Sequence, residues 1–179
     1  DAIKAAEAGQ TITLVAYVTE DVTIGKDLTI DGGEFKYTGN ISVKGSTVDV
    51  VIKNVKFVGG TGYAITTNTI KSITVENCTV TNYGYGFLYA NKSTPTVVIK
   101  DVTVKNCNYG LHYVYGSNAT LENVTMTDVK YGLYIQNYAA KTITIKNSAI
   151  SSIEIWERTG YSAVQTFKFE GTNTVGTLS

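Results

Sequence analysis

The chain has 179 residues, 43% of them hydrophobic and 17% charged, and its 15 basic and 15 acidic side chains give a formal net charge of zero. That length suits one domain with a continuous core. Balanced charge without a basic run leaves no electrostatic footprint for nucleic acid or an anionic membrane, and no stretch is apolar for long enough to span a bilayer. In chain order, residues 1–8 predict a short helix: Asp1 can cap it, Ile3 and Ala6 form a small apolar face, and Gly9 can stop it. Thr11-Ile12-Thr13-Leu14 then opens a short strand. Val22-Thr23-Ile24 and Leu28-Thr29-Ile30 follow, on either side of a Gly25-Lys26-Asp27 turn.

From there the chain repeats itself. Ile73-Thr74-Val75-Glu76-Asn77-Cys78-Thr79-Val80 returns at residues 97–104 and 119–126, and opens again at Ile143. Three units carry a second phrase: Tyr85-Gly86-Phe87-Leu88-Tyr89, Tyr109-Gly110-Leu111-His112-Tyr113 and Tyr131-Gly132-Leu133-Tyr134-Ile135. An earlier coil holds a shifted version, Gly62-Tyr63-Ala64-Ile65. With the third residue of the first phrase as anchor, the anchors are Ile30, Ile52, Val75, Ile99, Leu121, Ile145 and Phe169, at separations of 22, 23, 24, 22, 24 and 24.

Each unit alternates apolar and polar residues, the period of a half-buried strand, and none carries a helical stripe. A unit of this length cannot bury its apolar face alone and must stack on its neighbours. The expected fold is an all-β, right-handed parallel β-helix of about seven coils, with like positions about 4.8 Å apart. We expect a single domain over 1–179, with a helical cap at 1–9, coils at 10–175 and a terminal piece at 176–179. The open last coil leads us to expect further domains of the same polypeptide.

Polar columns mark the bends. Two after the anchor stand Gly32, Asn54, Asn77, Asp101, Asn123, Asn147 and Gly171; seven after it stand Asn82, Asn106 and Asp128. Asparagine suits such a column, because its amide bonds both the turn backbone and the amide of the next coil. An Asn-marked turn after an aliphatic strand, followed by a Gly-aliphatic-x-apolar strand, resembles the right-handed β-helix repeat of the pectate lyase-like superfamily over residues 22–175. The resemblance implies the fold. It leaves activity open, since the superfamily spans lyases, hydrolases, esterases, phage tailspikes and non-catalytic surface proteins.

Directly after each anchor stand Asp31, Lys53, Glu76, Lys100, Glu122, Lys146 and Glu170, alternating in sign without a break. Stacked coils would give every charge opposite neighbours, and a one-coil slip would bring like charges together. Cys78 and Cys107 fall in different columns, so two buried free thiols are expected rather than a disulfide. Of the Asn-x-Ser/Thr tripeptides at Asn40, Asn77, Asn91, Asn118 and Asn123, those at Asn77 and Asn123 belong to the turn column and are expected to be buried.

A lyase of the superfamily would need clustered carboxylates on calcium and a basic residue, and a hydrolase two facing carboxylates. The family's Asp-Asp and Gly-His-Gly motifs have no match. Glu154, Glu157 and Arg158 beside Trp156 form the one acidic-basic-aromatic cluster off the charge column. They are candidate catalytic residues, weighed against a salt-bridged turn. His112 has no partner set for a metal site or triad, and neither metal nor cofactor is expected.

The ligand-binding candidates are aromatic: Tyr85, Tyr109 and Tyr131 in one column, with His112 and Tyr134 in an outward column that Leu88 shares. Rings lined by amides suit polysaccharide or surface glycan; Asn82, Asn106, Asn91 and Asn137 are the nearby amides. The competing role for stacked tyrosines is to brace a turn. The register of Thr79-x-Thr81 with Thr125-x-Thr127 resembles β-helical ice-binding proteins, interrupted by Lys56 and Lys105. The texture, rich in Thr, Asn, Gly and Tyr, fits an extracellular or cell-surface bacterial protein. The expected role is a non-catalytic spacer or adhesion module that binds glycan weakly, with a polysaccharide lyase or hydrolase as the alternative.

Overall fold

Every anchor lies against the next. Ile30 pairs with Ile52, Ile52 with Val75, Val75 with Ile99, Ile99 with Leu121, Leu121 with Ile145 and Ile145 with Phe169, all in parallel register. A computed structural model describes residues 2–179, apart from the side chains at positions 94, 95 and 117; the Asp1 cap lies outside the described residues. The chain is an all-parallel β-solenoid of about seven turns. Each full coil runs through three strand segments. The anchor segment comes first, as in Ser72–Glu76. The segment typified by Thr79–Thr81 follows, and then the segment typified by Gly86–Asn91. Ile52, Val75, Ile99, Leu121 and Ile145 are completely buried, and each contributes about 1.5–3 kcal/mol through removal of its side chain from water.

The two polar columns are corners with left-handed backbone. Asn54, Asn77, Asp101, Asn123 and Asn147 have φ between 48° and 56°, and Asn82, Asn106 and Asp128 lie at 60°, 52° and 53°. Among side chains with a Cβ, Asn and Asp enter this region at least cost. Their amides also climb the solenoid: Asn54 Nδ2 donates to Asp31 Oδ1 (3.0 Å), Asn77 Nδ2 to Asn54 Oδ1 (2.7 Å) and Asn123 Nδ2 to Asp101 Oδ1 (2.8 Å). In the second column Asn106 Nδ2 donates to Asn82 Oδ1 at 3.1 Å. Asn77 and Asn123 are exposed, against expectation. A corner amide can bond along the solenoid axis while its flank stays in water. The third corner is irregular, with register shifts after Lys44, Asn68 and Tyr113, and it absorbs the variation in repeat length.

Residues just inside the corners finish the core. Cys78 Sγ donates to Glu76 O (3.2 Å) and accepts from Val55 N–H (3.5 Å). Ser148, at the same place in a later coil, repeats the pattern with Lys146 O (2.8 Å) and Val124 N–H (3.0 Å). Both cysteines are free and buried; burial pushes the Cys78 thiol up to about 12. Tyr83 turns into the core, where its hydroxyl donates to Gly39 O at 2.9 Å. Gly60 permits this, since a Cβ there would stand 2.1 Å from the Tyr83 ring. Lys141 is also interior: its ammonium donates to Gln136 O (2.6 Å) and Ala139 O (3.0 Å), and burial pulls its pKa down to about 8.

A helix at Ala2–Ala5 covers the first coil; Ile3 and Ala6 pack on the core, and Lys26 Nζ donates to Ala6 O at 2.7 Å. The phase that weakens after Ile145 is regained: Lys141–Lys146 pairs with Gln165–Glu170, and Ala149–Trp156 with Thr174–Leu178. On the Thr79–Thr81 segment, Lys56 stands beside Thr79 and Lys105 between Thr81 and Thr127, so the threonine files are interrupted as the sequence implied.

The charge column stacks in register from Asp31 to Glu170. Among the described residues two of its steps close to ion pairs, Lys53–Asp31 at 3.7 Å and Lys146–Glu122 at 3.3 Å. The Asn54 amide, the Gly33 N–H and Lys53 hold the Asp31 carboxyl below the usual carboxylate range. Glu122→Lys should therefore place a cation between Lys100 and Lys146 and lower stability in urea by about 1 kcal/mol at low salt. The loss should shrink as salt is added. Equal stability of mutant and wild type at low salt would contradict the stacked column.

Candidate functional site

The tyrosine face is set by one extra residue. The segment from the corner Asn82 to Leu88 is one residue longer than that from Asn106 to Leu111. Gly86 therefore pairs with Tyr63 on one side and Tyr109 on the other, not with Gly110. Leu88 pairs with Ile65 and Leu111 and is completely buried. The expectation that Leu88 points outward is corrected. Tyr89 takes the outward place, beside Thr66 and His112, and His112 lies beside Tyr134. The coil from the corner Gly59 to Ile65 has the same added residue, yet its Tyr63 stands in the row of Gly86, Tyr109 and Tyr131, and Tyr85 is the ring outside that row.

Gly86 leaves a gap between Tyr63 and Tyr109, where a Cβ would stand 2.2 Å from the Tyr109 carbonyl oxygen. The Tyr63 ring leans across that gap. It stacks on Tyr85 (5.8 Å between centroids) and Tyr89 (5.2 Å), and reaches Tyr109 at 6.1 Å. Tyr109 stacks on Tyr131 at 4.9 Å and His112 at 5.1 Å, while Tyr134 meets His112 edge-on at 5.0 Å. Lys130 Nζ lies 4.6 Å from the centre of the Tyr131 ring. The structure thus gathers Tyr85, Tyr109, Tyr131, His112 and Tyr134 on one side of consecutive coils, and adds Tyr63 and Tyr89. Tyr85 is 60% exposed, and the others are half-buried.

His112 is the polar centre of the rings. Its Nδ1 is 2.9 Å from Tyr63 Oη, and its Nε2 is 3.2 Å from Gln136 Nε2. With the Gln136 amide in this orientation it donates to Nε2, so the neutral imidazole carries its proton on Nδ1 and donates to Tyr63. The Tyr63 hydroxyl oxygen then acts as the acceptor of this bond. Burial pushes the phenols of Tyr63, Tyr89, Tyr109 and Tyr134 above their ordinary value, so they stay protonated. The amides expected nearby divide. Asn82 and Asn106 line a shallow cleft with Asn108 and Lys130. Asn137 is buried, donating to Tyr161 O (3.0 Å) and accepting from Arg158 N–H (3.0 Å), so it braces a loop instead of facing ligand.

A second ring group adjoins the first through Gln136, which pairs in register with Trp156. Tyr138 stacks on Tyr115 at 4.6 Å, meets Tyr161 edge-on at 4.9 Å and lies 6.4 Å from Trp156. The catalytic candidates are not drawn into one ion pair. Glu154 stands in register with Tyr134, Glu157 lines a separate cleft, and Arg158 stacks on tyrosines. Among the described residues Arg158 makes no ion pair, which overturns the salt-bridged turn. No group of three His, Cys, Asp or Glu among them could hold a metal ion. Among the described residues no helix is long and apolar enough to cross a membrane.

Scans against protein-family profiles, curated proteins and solved structures give no match.

Burial pulls the His112 pKa from 6.5 down to about 4. The folded ring holds its proton less tightly than the unfolded one. Its neutral packing therefore contributes fully above about pH 6.5, and that contribution is lost as pH falls from there towards 4. Partial exposure reduces the loss to about 1–2 kcal/mol. Urea unfolding of wild type and His112→Gln across this window should show the extra slope in wild type alone; identical slopes would contradict a neutral, packed imidazole.

Proposed function

We propose that this solenoid is a rigid binding module that lays an extended saccharide along its tyrosine face, as a spacer or adhesion element of a secreted or surface-displayed protein. One observation carries the reading: the unbroken ring contact from Tyr63 and Tyr85 through Tyr109 and His112 to Tyr131 and Tyr134. Ring faces accept the C–H faces of sugars, and phenol and amide groups meet hydroxyls. Three coil steps span about 14 Å, the length of about three sugar units. A face this open buries little of its ligand, so binding is weak and gains from repetition along a polymer.

The rods of β-structure behind the face supply stiffness. The rings stand on strands whose inward neighbours Ile65, Leu88, Leu111 and Leu133 are completely buried, so the platform exists before ligand arrives and little ordering accompanies binding. Half-burial of the rings also braces the third segment, and the two roles coexist at the same residues.

A glycan array with the whole chain, followed by calorimetric titration of a hit, tests the proposal. Tyr85→Ala removes the most exposed ring of the face, 60% exposed and stacked at its edge on Tyr63. It should weaken binding about three- to tenfold with little change in thermal stability. No array hit, or a hit whose affinity Tyr85→Ala and Tyr134→Ala both leave unchanged, would reduce the rings to structural packing.

A further inference from the structure

The chain has one arginine, Arg158. Arg158 is exposed at the end of the ring face, with its guanidinium 5.3 Å from the centre of the Tyr138 ring and 5.9 Å from that of Tyr161. Nη1 donates to the Tyr138 hydroxyl, and the backbone N–H donates to the buried Asn137 side-chain oxygen at 3.0 Å. Glu157 is its neighbour in sequence, yet among the described residues Arg158 forms no ion pair. A long exposed side chain ordinarily loses entropy when held in one place. Here two ring faces and one hydroxyl hold it, and Nε and Nη2 have no protein partner among the described residues. A guanidinium offers paired N–H groups in a fixed fork, the geometry that takes a carboxylate or sulfate two-pronged.

A second observation lies beside it. A cleft of about 390 Å³ is lined by Asn137, Glu157, Tyr161, Ser162 and Gln165, among others. Gln165 Nε2 donates to Ala139 O (3.1 Å) and Ala163 O (2.8 Å), while its Oε1 is buried with no hydrogen-bond partner. These two bonds fix Gln165 in the wall of the cleft. The anion fork, the exposed rings of Trp156 and Tyr161 and this cleft thus stand on the last coils.

We propose that these coils form a subsite for a sugar unit bearing an anionic substituent, in which Arg158 binds the anion and makes the ring face selective for acidic saccharides. The proposal rests on the saccharide reading of the tyrosine face. The ring of Tyr161 or Trp156 takes the sugar's apolar face, and hydroxyls of the same unit meet the polar lining of the cleft. Carboxylate and sulfate share this chemistry, and the probes separate them.

Trp156 is the only tryptophan and is 43% exposed, so its fluorescence reports on the subsite. The whole chain is titrated with a mannuronate hexasaccharide, a heparin-derived hexasaccharide and neutral cellohexaose, with a charge-sorted glycan array in parallel. Wild type should bind at least one acidic probe about tenfold tighter than the neutral one, with the preference falling as salt rises. Arg158→Gln should erase the preference by bringing acidic binding down to the neutral level, and Arg158→Lys should restore part of it. The stronger acidic probe identifies the substituent. Equal binding of acidic and neutral saccharides by wild type, or a preference that survives Arg158→Gln, would overturn this inference while leaving the tyrosine face standing. No binding to any saccharide on probes or array would overturn both.

Discussion

The structure depends on a contact that recurs along two of its corners, where left-handed polar residues bond their counterparts one coil away. Five residues of the first corner column share φ values between 48° and 56°. For a residue with a Cβ that conformation costs about 1–2 kcal/mol. The cost is offset twice, because the backbone N–H of Asn54, Asn77, Asp101, Asn123 and Asn147 each finds a carbonyl on the following coil, and the amides bond along the axis. The column has one chemical break. A carboxylate has no N–H to donate, so Asp101 accepts from Asn123 and cannot pass a bond back to Asn77. Two amide runs therefore sit on the continuous backbone ladder.

Corners fixed in this way decide what faces out. Between two fixed bends the strand period of two allows little slack, and an added residue must be absorbed locally. In the Tyr85 coil it is absorbed at the bend: Phe87 and Leu88 are both completely buried, and Gly86 takes the place held by tyrosine in the coils on either side. The missing Cβ lets Tyr63 contact Tyr109 and hydrogen-bond His112. The continuity of the aromatic face thus comes from an irregularity in the repeat.

The anchors, the alternating charges, both polar columns and the two free thiols were legible because each recurs at a constant offset from an aliphatic strand. Reading failed where length or reach varied. Leu88 looked outward because Gly86 was aligned with Gly110, although counting from Asn82 exposes the extra residue. Tyr63 and Tyr89 were missed through the same misalignment. Asn77 and Asn123 looked buried because a hydrogen-bonded corner was equated with an interior one. Tyr83 and Lys141 carry polar ends into the interior, and only the positions of Gly39 O and of the Gln136 and Ala139 carbonyls explain them. No single-sequence pattern encodes an acceptor as distant as Gly39 is from Tyr83, or the turn that brings the nearby carbonyls of Gln136 and Ala139 onto the Lys141 ammonium. The tyrosine-held Arg158 is of the same kind, since its partners Tyr138 and Tyr161 lie far apart in sequence.

Corner side chains couple adjacent coils through their amide hydrogen bonds. A double-mutant cycle on Asn54 and Asn77 tests it most directly, with glycine as the replacement so that the left-handed backbone is kept and only the amide is removed. Their side chains are joined by a 2.7 Å hydrogen bond. Unfolding in urea should give a coupling of about 0.5–1.5 kcal/mol for this pair, and none beyond error for Asn54 with Asn123, which lie in the same column but not on adjacent coils. A coupling of zero between Asn54 and Asn77 would contradict the account.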